Sequence, residues 1–329
     1  GPALNTAQSQ AGPAARSGPR WPHLLVGAAV VVGGAVLVWS RSDDIAEAVD
    51  RLSLGRFVAS GLLAVAGTVL IQSIWSALLH GLDAHPGRRD AASVFFVSQL
   101  GKYLPGSVWP VVAQMQFGRR WGVPRAVMFA ANILLLGAVT ASGIAVGAVL
   151  LPWASPSGLS HYWWLVLLLV PLLAGLHPRT VPAVLDVVLR RLGREPLGAR
   201  LTTRGLAAAG AWSLASWLVL GAHIAVLVGA FHGVGVRELA AAVGGMGLAW
   251  AAGIAFIPAP AGAGVRDTVL VLTLAPITGS PEALTIALAS RALLLIADVL
   301  LAALGALARR RVGPDGPSAG PGGPSVTAS

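Results

Sequence analysis

Between Trp21 and Arg309 this chain is cut into apolar stretches, several of which approach or exceed the ~20 residues a helix needs to cross a bilayer. That pattern excludes most folds. Only 11% of the residues are charged and 55% are hydrophobic, against about 25% charged in a soluble domain. Such a chain lacks the polar groups to cover a water-facing surface. The expected fold is all-α: a polytopic membrane helix bundle.

The apolar pattern predicts six spans, at residues 22–40, 57–80, 124–151, 162–177, 205–230 and 282–307. Residues 1–20 and 309–329 are rich in Gly, Pro, Ala and Ser and are expected to be disordered, leaving 21–308 as one transmembrane domain. Trp21 and Trp39 bracket the first span, which reads as a retained helix with an aromatic at each interface and not as a cleaved leader. Residues 41–56 read as a short amphipathic helix at the outer surface. The formal net charge is +10 and the chain has no cysteine, so disulfides, thiolate nucleophiles and cysteine-bound metals are excluded. Arginines cluster in short loops, at Arg88/Arg89, Arg119/Arg120/Arg125, Arg190/Arg191 and Arg309–Arg311. This is the positive-inside pattern, with anionic lipid headgroups as neighbours. It places both termini in the cytoplasm and the protein in the cell membrane, and gives no reason to expect nucleic acid as a partner.

That orientation leaves two apolar stretches that return to the side from which they came, residues 92–118 from inside and 239–276 from outside. Each is broken in its middle, the first around Gly101, Pro105 and Gly106, the second around Pro258, Pro260, Gly262 and Gly264. Irregular backbone at membrane depth survives only where protein or a water-filled cavity surrounds it. Span, re-entrant hairpin and span occur twice with opposite starting sides, as in an inverted repeat whose site lies between discontinuous helices near the midplane.

Ionisable groups at that depth are costly and mark sites by default. Lys102, the only lysine, lies in the first break, with Tyr103 beside it. Arg266 and Asp267 follow the glycines of the second break, where a half-helix should start, and its free N–H groups and dipole favour an anion. The last span adds Arg291 and Asp298, one face but roughly 10 Å apart along the axis, so each needs a partner elsewhere, with Arg266 and Asp267 the obvious ones. Three cations against two acids leave one positive charge, which favours an anionic headgroup. Three structural readings stand beside this: Arg266 and Asp267 as an ion pair that pins the hairpin, Arg291 and Asp298 as buried ion bridges that lock the last span to the second hairpin, and Lys102 snorkelling to the interface.

Gln99, Ser107, Trp109 and Gln114 can add neutral hydrogen bonds around the first break, although Gln114, Gln116, Asn132 and Gln72 equally suit contacts between helices. His223, inside a span, suits a hydrogen bond across helices better than a metal. Gly143 and Gly147 form a GxxxG motif for close helix packing. No metalloprotease, P-loop or nucleophile-elbow motif is present, and no metal or cofactor is expected.

The run Gly101-Lys102-Tyr103-Leu104-Pro105-Gly106-Ser107-Val108-Trp109 and the later Pro258-Ala259-Pro260-Ala261-Gly262-Ala263-Gly264-Val265-Arg266-Asp267 resemble the two signatures of the lysylphosphatidylglycerol synthase transmembrane-region family of flippase-like membrane proteins. Asp267 stands where Glu is commoner and Ala263 where a larger apolar residue is usual. The resemblance covers roughly residues 20–310 and implies a lipid translocase module, with Lys102, Tyr103, Arg266 and Asp267 on the motif positions. Synthase activity is not expected, because no aminoacyl-transferring domain follows. The expectation is a non-enzymatic flippase that moves an anionic or aminoacylated phospholipid, or a polyprenyl-phosphate-linked lipid, between leaflets. A non-transporting partner of a glycosyltransferase or lipid-modifying enzyme and an ion-coupled anion transporter are the alternatives. Membrane lipids are the expected partners, a lipid-modifying enzyme and self-association further ones.

Overall fold

In the computed structural model, residues 52–103, 108–154, 162–175, 201–256 and 260–311 are described, with isolated positions between 176 and 200. The expected first span at 22–40, most of segment 41–56, both tails, and Pro105, Gly106, Ser107 and Pro258 lie outside the described residues. The described chain is all helical. Its helices are α1 (Leu54–Gly81), α2 (Arg88–Gln99), α3 (Trp109–Gly118), α4 (Arg125–Ala154), α5 (Trp164–Gly175), α6 (Thr203–Val228), α7 (Val236–Ala255), α8 (Val265–Thr278) and α9 (Ser280–Arg311).

Five of them, α1, α4, α6, α7 and α9, are long and apolar enough to cross a membrane. Their starts follow ordinary capping: the Ser53 hydroxyl accepts the Arg56 N–H in front of α1, and Thr202 accepts from Gly205 in front of α6. Large apolar side chains cover their outward faces, including Leu136 and Val149 on α4 and Val299, Leu300 and Leu304 on α9. Exposed apolar surface on that scale suits lipid, not water.

Within the stretch 162–177, α5 covers Trp164–Gly175 among the described residues. It packs on α4. In the second hairpin α7 has 20 residues and α8 has 14, so its first arm alone has the length of a span.

Both hairpins nonetheless return to the side where they begin. His232, just after α6, contacts the Thr278 carbonyl at the end of α8 at 3.2 Å. Arg309, at the end of α9, stacks on Phe117 at the end of α3, its guanidinium 4.2 Å from the ring centre. Within the protein the contacts pair off between two halves, α1–α4 and α6–α9. α1 meets α6; α4 meets α7 as α9 meets α2; α1 meets α9 as α6 meets α4; α3 meets α4 as α8 meets α9. The equivalent helices α1 and α6 run antiparallel, with Ser60 facing His223, Gly67 facing Leu220 and Gly81 facing Gly205. Opposed direction between equivalent elements is the geometry of an inverted repeat.

Close packing uses small residues, as helix association in lipid requires. A Cβ on Gly143 would fall 2.5 Å from the Gly247 carbonyl oxygen, and Gly147 faces Gly244. The GxxxG of α4 therefore meets a glycine stripe on α7. At the α1–α6 crossing, His223 is fully buried: Nδ1 lies 2.6 Å from Ser60 Oγ and Nε2 2.8 Å from Ser290 Oγ. One imidazole thus ties α1, α6 and α9 together, a bond across helices.

Candidate functional site

The two breaks meet. The first is a tight turn, Leu100–Tyr103, between α2 and α3; the second includes the turn Pro260–Gly262 between α7 and α8, and the two turns touch. Gly101 has no room for a side chain, since a Cβ there would lie 2.9 Å from the Trp109 Cβ. Gly262 has φ +67° and lies against Gly253 of α7, where a Cβ would sit 2.8 Å from its Cα. Positive φ and close approach together admit only glycine. Gly264, φ +80°, precedes α8, and its N–H donates to Asp267 Oδ2 at 3.0 Å.

α9 stands behind both turns. Arg291 and Asp298 straddle its middle, and each holds one hairpin. Arg291 Nη1 donates to Asp267 Oδ2 at 2.5 Å, fastening the start of α8. Asp298, 3% exposed, accepts from Lys102 Nζ at 2.7 Å and from the Tyr103 hydroxyl at 2.6 Å, fastening the first turn. Lys102 is therefore drawn inward and does not snorkel. Asp298 takes neither Arg266 nor Asp267; its partners come from the other hairpin, which correction follows from the meeting of the two turns.

Arg266 differs from the other cations. Its guanidinium lies 4.3 Å from the centre of the Trp250 ring on α7, with Met246 Sδ 3.8 Å from Nη2. Among the described residues no carboxylate lies within 4 Å of it. A cation over an aromatic face is stabilised by the ring quadrupole yet keeps its donors. Of the five interior charges, four pair with one another, and Arg266 has no acid partner among the described residues.

The neutral candidates lie around this cluster. Gln99 closes α2, half-buried, and Trp109 opens α3, half-exposed. Gln114 Nε2 donates to Ser98 Oγ at 2.7 Å, joining the arms of the first hairpin. Asn132 and Gln72 bond within their own helices, to Met128 and Ser76. Trp250 and Met246 were not among the sequence candidates. Residues that look like ordinary core give no sign that they will support a cation until α7 and α8 are docked.

A re-entrant hairpin from each half, with tips pinned to one helix, is the architecture of a polytopic membrane protein. The chain belongs to the lysylphosphatidylglycerol synthase TM region family, whose pattern matches residues 24–302. No curated protein matches the sequence.

Proposed function

We propose that this protein moves an anionic lipid headgroup across the membrane along the seam between its two hairpins, with Arg266 as the residue that holds the phosphate. The observation that carries this reading is the charge distribution at the tips. Asp267 and Asp298 are neutralised by Arg291 and Lys102, whereas Arg266, in the first turn of α8, has no acid partner among the described residues. Arginine and a helix N-terminus are the two groups best suited to phosphate. The acyl chains remain in lipid against the exposed apolar faces, and only the headgroup needs the polar path. The chemistry required is desolvation and binding, with no bond made or broken, which suits a non-enzymatic role.

The test is leaflet exchange of labelled phosphatidylglycerol in proteoliposomes. Exchange should exceed that of protein-free vesicles and fall at least tenfold in Arg266→Ala, with unchanged protein insertion. Exchange equal to empty vesicles across several anionic lipids removes the proposal.

A further inference from the structure

A cavity with mixed polar and apolar lining lies away from Arg266, between α1, α2 and α6. Its volume is about 320 Å³, at the lower end of the ~300–1,000 Å³ of small-ligand pockets. Gln72, Ser73, Ser76, His80, Arg88 and Trp212 line it. Gln72, Ser76 and His80 follow at intervals of four on α1, so one stripe of an otherwise apolar helix is polar over ~12 Å.

The cavity has a direction. The Thr202 N–H donates to the Gly81 carbonyl at 2.9 Å, so the end of α1 and the start of α6 share a membrane face, the one that the loop arginines assign to the cytoplasm. His80 and Arg88 stand at that face. Gln72 and Trp212 are each nine residues further in, ~14 Å along their helices, close to half the thickness of a ~30 Å core. The equivalent place in the other half is filled: α6 and α7 meet so closely at Gly221 that a Cβ would sit within van der Waals overlap of Val243. The opening between α1 and α2 is thus a departure from the repeat and not a general looseness of packing.

Its polar groups are left for a ligand. Gln72 is 9% exposed; its Nε2 donates to Ser76 Oγ at 2.7 Å, and its Oε1 accepts nothing among the described residues. Arg88 has no carboxylate within 4 Å among those residues. His80 Nδ1 donates to the Ser76 carbonyl at 2.7 Å, which turns Nε2 away from α1. His80 and Arg88 are exposed at the rim of the groove, so their donors are open to a ligand that enters it.

We propose that this groove binds the headgroup of a phosphodiester lipid from the adjoining leaflet. The phosphate lies at Arg88, and a hydroxyl or ammonium at the far end of the headgroup donates to Gln72 Oε1. A headgroup without a hydrogen-bond donor meets only half of the site. The proposal is independent of transport by Arg266: a chain that holds lipid here without moving it satisfies it equally.

The lack of cysteine gives a clean reporter. Ser73→Cys places a single thiol in the groove, and its alkylation rate by a small water-soluble reagent is measured on the full chain in detergent. Dioctanoyl phosphatidylglycerol should slow alkylation about tenfold, and dioctanoyl phosphatidylcholine much less. Protection should vanish in Arg88→Ala, a surface change that leaves the fold intact, and in Gln72→Leu, but persist in Arg266→Ala. Equal protection by phosphatidylcholine, or protection that survives Arg88→Ala, overturns the proposal. Loss in Arg266→Ala would assign the effect to the central cluster and also overturn it. Equal protection by inorganic phosphate alone makes the occupant a free anion and overturns the lipid assignment.

Discussion

Replacing Asp298 by Asn removes the charge that Lys102 faces while leaving Tyr103 an acceptor. An unpaired ammonium then remains in a low-dielectric interior. Breaking a buried pair from one side is destabilising by about 3 kcal/mol, whereas replacing both partners by apolar groups is far milder. Asp298→Asn should therefore lower the thermal unfolding midpoint in detergent more than Lys102→Met/Asp298→Leu does, as a double-mutant cycle would reveal. Arg291→Gln should behave like Asp298→Asn, because it strands Asp267. Arg266→Gln should shift stability by only about 1 kcal/mol, the scale of a stacked cation, since it leaves no acid unpaired. A site residue and two pinning residues are thereby separated by one measurement. The sequence placed all five charges at the breaks and on α9 because charge in an apolar run is conspicuous. It did not show that Asp298 pairs with Lys102, 196 positions away, since no local spacing records which hairpin an acid will face.

At the scale of helices, close contact depends on what is missing from the side chain. Gly143 touches the backbone of Gly247, and no rotamer change can relieve a Cβ placed there. Gly143→Ala should force α4 and α7 apart and destabilise the protein, while Gly210→Ala, with nothing within 4 Å, should leave it unchanged or slightly firmer. Thermal denaturation of the two variants in the same detergent checks the contrast. The long helices were legible because hydropathy alone reports them. The break after α7 was legible too, in Pro258, Pro260, Gly262 and Gly264; that Gly244 and Gly247 form the packing surface of α7 against α4 was not. The groove on α1 leaves a trace in Gln72, Ser76 and His80, a four-residue polar period of which Gln72 alone stood out, as a contact between helices.

For the whole molecule, the pairing of contacts between halves fixes which loops share a face. His232 belongs with Thr278, and Gly81 with Thr202; Trp153, Trp163 and Trp164 are exposed around the end of α4 and the start of α5, where interfacial aromatics are expected. A membrane-impermeant maleimide applied to intact cells should label His232→Cys and spare Arg120→Cys, each introduced singly. Labelling of Arg120→Cys from outside would reverse the orientation drawn from the loop arginines. Loop charge gave that orientation, but it could not show that the hairpin tips touch, which depends on how the halves dock.

α9 carries both latches on one shaft, with only two turns of helix between them. A twist or axial slip of that shaft strains the two fastenings in the same instant. Under the proposed transport function, motion that opens one leaflet and seals the other would have to come from the hairpins swinging about a stationary α9, and a crosslink that immobilises α9 against α1 should leave leaflet exchange running.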